Sequence, residues 1–224
     1  TGNGVSELIN LSMSALLDDG DEVLIPSPDY PLWTACVTLA GGKAVHYICD
    51  EQSEWNPDIN DIKKKVNNRT KAIVIINPNN PTGTWFEEAE FEAFMQKVPA
   101  NVIVVLDEAY VEYFPENFNS LKFLQQYPNL IVSRTLSKCY GLAALRVGFA
   151  LASVEVTDYL NRIRQPFNVN HLAMVAAVAA LKDEDFIARS REVNKAGMAQ
   201  LEAGFKALGL NYVPSRANFI LVDV

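Results

Sequence analysis

The sequence predicts an α/β protein: a three-layer, mostly parallel doubly wound sheet, followed by part of a smaller α/β unit. Short Val- and Ile-rich runs alternate with amphipathic helical patterns over most of the first 152 residues, an order that builds parallel sheets covered by helices. The runs are continuously apolar rather than alternating, as expected of strands with no solvated face. From about Glu155 the pattern becomes helical and then closes on two strand-like runs.

Taken in order, residues 5–17 space apolar side chains at helical intervals and run into "DDGDE", where Gly20 is a stop signal. Strands follow in "DEVLIP" (21–26), "AVHYI" (44–48), "KAIVII" (71–76), "VIVVLD" (102–107), "NLIVS" (129–133) and "VGFALA" (147–152). Each is too apolar for half exposure, so all six are expected to be central. Helical patterns at 31–40, 59–66 and 87–97 separate them. Beyond, "VTDYLNRIRQPF" is a helix broken by Pro166, and "HLAMVAAVAALKD" and "DFIARSREVNKAGMAQLEAGFKALG" are further helices. "NYVP" and "ANFILVDV" form a strand pair. The expected organisation is a core domain at 1–152, helices completing or linking it at 153–182, and the start of a small domain at 183–224. The opening at "TGNGVSEL" and the closing "NFILVDV" suggest a fragment of a longer protein.

With 224 residues, 49% of them apolar, the chain can bury a sizeable core. A net charge of −8 disfavours a nucleic-acid backbone as partner. No apolar run reaches the roughly 18 residues of a membrane span, and no signal-peptide pattern opens the sequence. Cys36, Cys49 and Cys139 form no CxxC pair, so neither a zinc site nor a disulfide frame is expected. A cytoplasmic setting fits best.

In open α/β sheets ligands bind beyond the carboxyl ends of the strands. Four polar clusters fall there: "SPDYP" (27–31), "NPNNPTG" (77–83), "DEAY" (107–110) and "RTLSK" (134–138). A strand-end Asp alone is usually a cap, a lone Lys is usually solvated, and a Pro/Gly loop is usually only rigid. Together they suit pyridoxal phosphate. Its aldehyde needs an amine, its ring nitrogen a carboxylate, its phenolic oxygen donors, its ring a flat partner, and its phosphate N–H groups and a cation.

The motifs "NPNNPTG", "DEAY" and "TLSKCYGLAALRVG" resemble, in order and spacing, those of the fold type I pyridoxal-phosphate aminotransferases of the aspartate aminotransferase superfamily. The resemblance runs the length of the chain. Residues from "GNGVSELI" to "HYICDE" look like bacterial alanine aminotransferases of the glutamate–pyruvate type. From "NPNNPTGTWF" onward the sequence looks like histidinol-phosphate aminotransferase.

The resemblance implies that Lys138 is the Schiff-base lysine and proton shuttle, kept neutral by burial and by the ring's positive charge. It implies that Asp107 pairs with the ring nitrogen, that Asn80 and Tyr110 bind the phenolic oxygen, and that Tyr30 stacks on the ring. Thr135, Ser137, Arg146 and the backbone of Gly4 and Val5 would hold the phosphate. It also implies an amino donor and a 2-oxo acid such as 2-oxoglutarate as substrates, and a homodimer. The family's arginine for the substrate carboxylate would lie beyond Val224; Arg216 does not match it. Trp33 and Trp85 read as packing residues. Histidinol phosphate is the preferred donor and alanine the alternative. A related lyase or decarboxylase, or a non-catalytic binding domain, stays open on these residues alone.

Overall fold

The computed structural model describes residues 1–114 and 118–224. A six-stranded sheet organises the chain: β1 (Glu22–Ser27), β2 (Lys43–Ile48), β3 (Thr70–Ile76), β4 (Ile103–Asp107), β5 (Leu130–Thr135) and β6 (Gly148–Leu151), in the order β2-β1-β3-β4-β5-β6. The first five are parallel to their neighbours, and β6 runs antiparallel to β5. The order reverses between β1 and β3, the crevice position where such sheets bind ligands.

Both faces of the sheet are covered, because successive strand residues point to opposite sides. Val23, Ile25, Ala72, Val74, Val105 and Ile131 pack under helices α1 (Gly4–Leu16) and α2 (Leu32–Leu39). Leu24, Ile73, Ile75, Val104, Leu106, Leu130 and Val132 pack on the other side against Phe86, Phe91, Phe94 and Phe123. Helices α3 (Ile59–Lys65) and α4 (Glu88–Met95) lie on this second face. The ends of these two helices follow their capping chemistry. The Asp58 side chain accepts from Asn60 N and Asp61 N, and Glu87 and Glu90 close a reciprocal capping box.

The expectation of six equally central strands fails at the edges. In β2 only Tyr47 is buried, and most of β6 is half-exposed. Apolar strand composition cannot separate an edge from the centre, since one face of an edge strand still packs on a helix. Helices α5 (Val154–Ile163), α6 (His171–Ala180) and α7 (Glu184–Leu208) follow, with β7 (Tyr212–Val213) and β8 (Leu221–Val222) forming a separate antiparallel pair. The α7 helix ends on Gly209 at φ +69°, the left-handed C-cap that glycine adopts without a Cβ penalty. Among the described residues, no helix is long and apolar enough to cross a membrane.

Candidate active site

Four carboxyl strand ends and one helix start meet in a cleft of about 260 Å³ lined by Val5, Ser6, Tyr30, Asn80, Asp107, Tyr110, Thr135, Ser137, Lys138 and Arg146 among others. Nine of the ten residues expected from sequence line it, and the tenth, Gly4, adjoins it. A hollow of similar size between α3 and α4 is lined mainly by Ile59, Ile75, Phe86, Phe91 and Phe94 and lacks comparable converging polar groups.

The antiparallel turn into β6 explains how residues far apart in sequence reach one place. Thr135 pairs with Gly148 across β5–β6, so the chain before β6 lies at the carboxyl end of β5. Gly2 and Gly148 then exchange two backbone hydrogen bonds of 3.0 Å each, which bring the start of α1 to the same spot. Arg146 sits in a left-handed conformation, φ +51°, and donates from Nη1 to the Ala143 carbonyl at 2.9 Å and to Ser137 Oγ at 3.3 Å. A methyl group at Gly4 would stand 2.6 Å from Arg146 Nη2, and φ there is +74°. Glycine is therefore required for the guanidinium to lie on the helix start. The Gly4 N–H itself is turned to the Gly2 carbonyl at 2.8 Å. Asn3 gives α1 no side-chain cap, which leaves the first-turn amides of Val5 and Ser6 for an anion. Thr135 Oγ1 accepts from Ser137 N at 3.1 Å and fixes the turn that carries Lys138.

At the opposite end Asp107 is almost wholly buried. Its Oδ2 accepts from Trp33 Nε1 at 3.2 Å and its Oδ1 from Ala109 N at 3.2 Å. Burial pushes its carboxyl up to about 6, against the lowering effect of those donors. Between the two ends, Asn80 Nδ2 donates to the Tyr110 hydroxyl at 3.0 Å, and Lys138 Nζ lies 5.2 Å from the Tyr110 ring centre. Tyr30 forms a partly exposed wall.

Three findings depart from the sequence expectations. Lys138 is exposed at the cleft mouth rather than buried, because it stands on the loop three residues past the end of β5. Trp33, expected only to pack, is fully buried but also bonds Asp107. Its partner is 74 residues away, which no local pattern reveals. Ser6 lines the cleft beside Val5, beyond the residues expected from sequence; a Ser two positions after Gly4 suits a phosphate-facing helix start. Arg216 lies outside the cleft lining, its guanidinium 4.6 Å over the Trp85 ring.

The donor set fits pyridoxal phosphate. It offers an amine, a buried carboxylate, an Asn–Tyr pair, an aromatic wall, and a helix start with Arg146 and two hydroxyls.

Glu108 and Glu112, just after Asp107 in sequence, are both buried near Arg134. Arg134 Nε donates to Glu108 Oε2 at 2.7 Å. Among the described residues both Glu112 carboxylate oxygens lack a hydrogen-bond partner, and burial pushes that carboxyl up to about 7. A carboxyl whose native pKa is raised stabilises the fold fully at low pH and ceases to as pH climbs from about 4.5 through 7. Glu112→Gln should therefore match the parent near pH 4 and exceed it by about 2 kcal/mol at pH 8. Urea unfolding at the two pH values checks this; equal stability at pH 8 would contradict it.

The profile for the family "Aminotransferase class I and II" matches residues 1–224. The chain is similar to histidinol-phosphate aminotransferase 2 of Pseudomonas fluorescens Pf-5, with 49% identity over 100% of this chain and 60% of that protein. It is similarly related to histidinol-phosphate aminotransferase 2 of Pseudomonas aeruginosa PAO1, at 48% identity with the same coverage. These alignments take in the first third as well as the rest. Among solved structures it resembles histidinol-phosphate aminotransferase from Sinorhizobium meliloti in complex with pyridoxal-5'-phosphate, with TM-score 0.93 and 28% identity over 99% of this chain and 60% of that one. It also resembles Thermus thermophilus aspartate aminotransferase with maleate, with TM-score 0.89 and 27% identity over the same shares. The chain thus spans about 60% of the length of the curated relatives it matches.

Proposed function

Because the chain belongs to the aminotransferase class I and II family, we propose that it is a pyridoxal-phosphate-dependent aminotransferase, moving an amino group between an amino donor and a 2-oxo acid. The observation that carries this is the convergence of the Lys138 amine, the buried Asp107 carboxylate and the start of α1 on one cleft. When bound, pyridoxal phosphate supplies an aldehyde that links to amines and a ring that accepts the electron pair left at the substrate Cα.

Each residue then has a task. Asp107 holds a proton on the ring nitrogen, and Trp33 and the Ala109 amide fix the carboxylate's direction. Asn80 and Tyr110 orient the phenolic oxygen, and Tyr30 covers one ring face. Thr135, Ser137, Arg146 and the start of α1 at Val5 and Ser6 would bind the phosphate, while Gly4, its N–H taken by the Gly2 carbonyl, leaves room for the guanidinium. Lys138 would hold the aldehyde through its amine, and its free Nζ would take the proton from the substrate Cα as general base. Its exposure at the mouth, on a turn fixed by Thr135, suits a group that must meet incoming substrate.

The relatives' names support L-histidinol phosphate as the donor, with 2-oxoglutarate as acceptor, run toward histidine biosynthesis from imidazole acetol phosphate and glutamate. Purified protein should consume glutamate with imidazole acetol phosphate at least tenfold faster than alanine with 2-oxoglutarate, measured as kcat/KM. The reverse ranking would move the assignment to alanine.

The same proposal divides the chain into a cofactor-binding core at 1–152, connecting helices at 153–182 and a second unit at 183–224. It includes a homodimer, supported by the exposed apolar side chains of Leu172, Val175 and Val178 on α6. A cytoplasmic setting accords with the three free, buried cysteines.

A further inference from the structure

The Tyr110 ring meets a residue more than 100 positions further along the sequence, Phe219. The Tyr110 hydroxyl receives the Asn80 amide at 3.0 Å, which leaves the hydroxyl hydrogen free to donate into the cleft. That geometry holds only while the ring is fixed. Phe219 meets the Tyr110 ring at a centroid distance of 5.3 Å and an interplanar angle of 81°, the edge-to-face arrangement favoured by aromatic quadrupoles.

The segment leading to Phe219 is fastened on two sides. Ser215 lies so close to Gly83 that a methyl group there would stand 2.1 Å from its Oγ, and Gly83 has φ +75°. Arg216 N donates to the Gly83 carbonyl at 2.9 Å, and its guanidinium covers Trp85. On the other side the buried Ala217 gives its carbonyl to Asn194 Nδ2 of α7 at 3.2 Å. The loop gripped through Gly83 is the one that carries Asn80. Both groups that fix Tyr110, the Asn80 amide and the Phe219 ring, are therefore set by one junction.

We propose that Phe219 is a positioning residue for Tyr110, held in place by the Ser215–Gly83 and Arg216–Gly83 contacts, so that residues 215–219 aim the phenol at the cofactor's oxygen. This rests on the assignment of the cleft to pyridoxal phosphate. A double-mutant cycle separates positioning from general packing.

Pyridoxal phosphate affinity and the pH midpoint of its visible absorption band would be measured for the parent, Tyr110→Phe, Phe219→Ala and the double variant. Phe219→Ala should weaken affinity about threefold to tenfold and move the midpoint in the same direction as Tyr110→Phe. In the Tyr110→Phe background it should add less than about twofold. Phe219→Leu, which keeps apolar volume without the ring, should show the same pattern and answers the question if the alanine variant does not fold. Multiplying effects, or Phe219 variants indistinguishable from the parent while Tyr110→Phe is impaired, would overturn the inference and leave the cofactor assignment standing. A parent that binds no pyridoxal phosphate at Lys138 would overturn both.

Discussion

Lys138→Ala should reduce amino transfer by about 10⁴-fold, the upper range for a positioned proton-transfer group, while leaving the fold intact. The side chain is exposed and stands on a loop, so its removal opens no core cavity. The anion-binding end of the cleft does not depend on it. Ser137 is held by Thr135 and Arg146, and Arg146 by the Ala143 carbonyl. The variant should therefore still take up pyridoxal phosphate, held by its phosphate, with a visible spectrum resembling that of free cofactor. Single-turnover measurements with glutamate check the rate. Turnover within tenfold of the parent would mean that another amine does the work.

Asp107→Asn should cost about 10³-fold in turnover, comparable to the loss of one well-placed electrostatic group in a dry site, with cofactor affinity falling far less. Asp107 is 3% exposed and its carboxylate accepts from Trp33 Nε1 and Ala109 N. Both donors favour the anion, and burial opposes it. That balance suits a carboxylate that must face a protonated ring nitrogen. An amide of the same size keeps the packing but cannot stabilise that positive charge. Stopped-flow measurement of the proton-transfer phase, alongside equilibrium binding, separates rate from affinity. Near-parental turnover would reduce Asp107 to a strand-end cap.

The residues that can be read from sequence share one property. Asn80, Asp107, Tyr110, Thr135, Ser137 and Lys138 each stand within a few positions of the end of an apolar run, so the sheet itself delivers them to the cleft. The cores of the six strands were legible for the same reason, since continuous apolar runs have few other uses. What local pattern does not carry is pairing between distant elements. The antiparallel direction of β6, the edge position of β2, the Gly2–Gly148 bridge, the Trp33–Asp107 bond and the Phe219–Tyr110 contact all depend on which segments become neighbours. Trp33 shows the limit most clearly. Its helix spacing marks it as core, which it is, and nothing nearby indicates that its N–H has a carboxylate to bind. The exposure of Lys138 is similar: the loop length after Thr135, not the residue type, decides it.

The central claim is that Lys138 is the amine that holds pyridoxal phosphate. Protein incubated with the cofactor, reduced with borohydride, digested and mapped by mass spectrometry tests it most directly. The proposed assignment predicts a single stoichiometric adduct on the peptide containing Lys138. An adduct on Lys122 or Lys195, or scattered labelling over surface lysines with Lys138 unmodified, would contradict it.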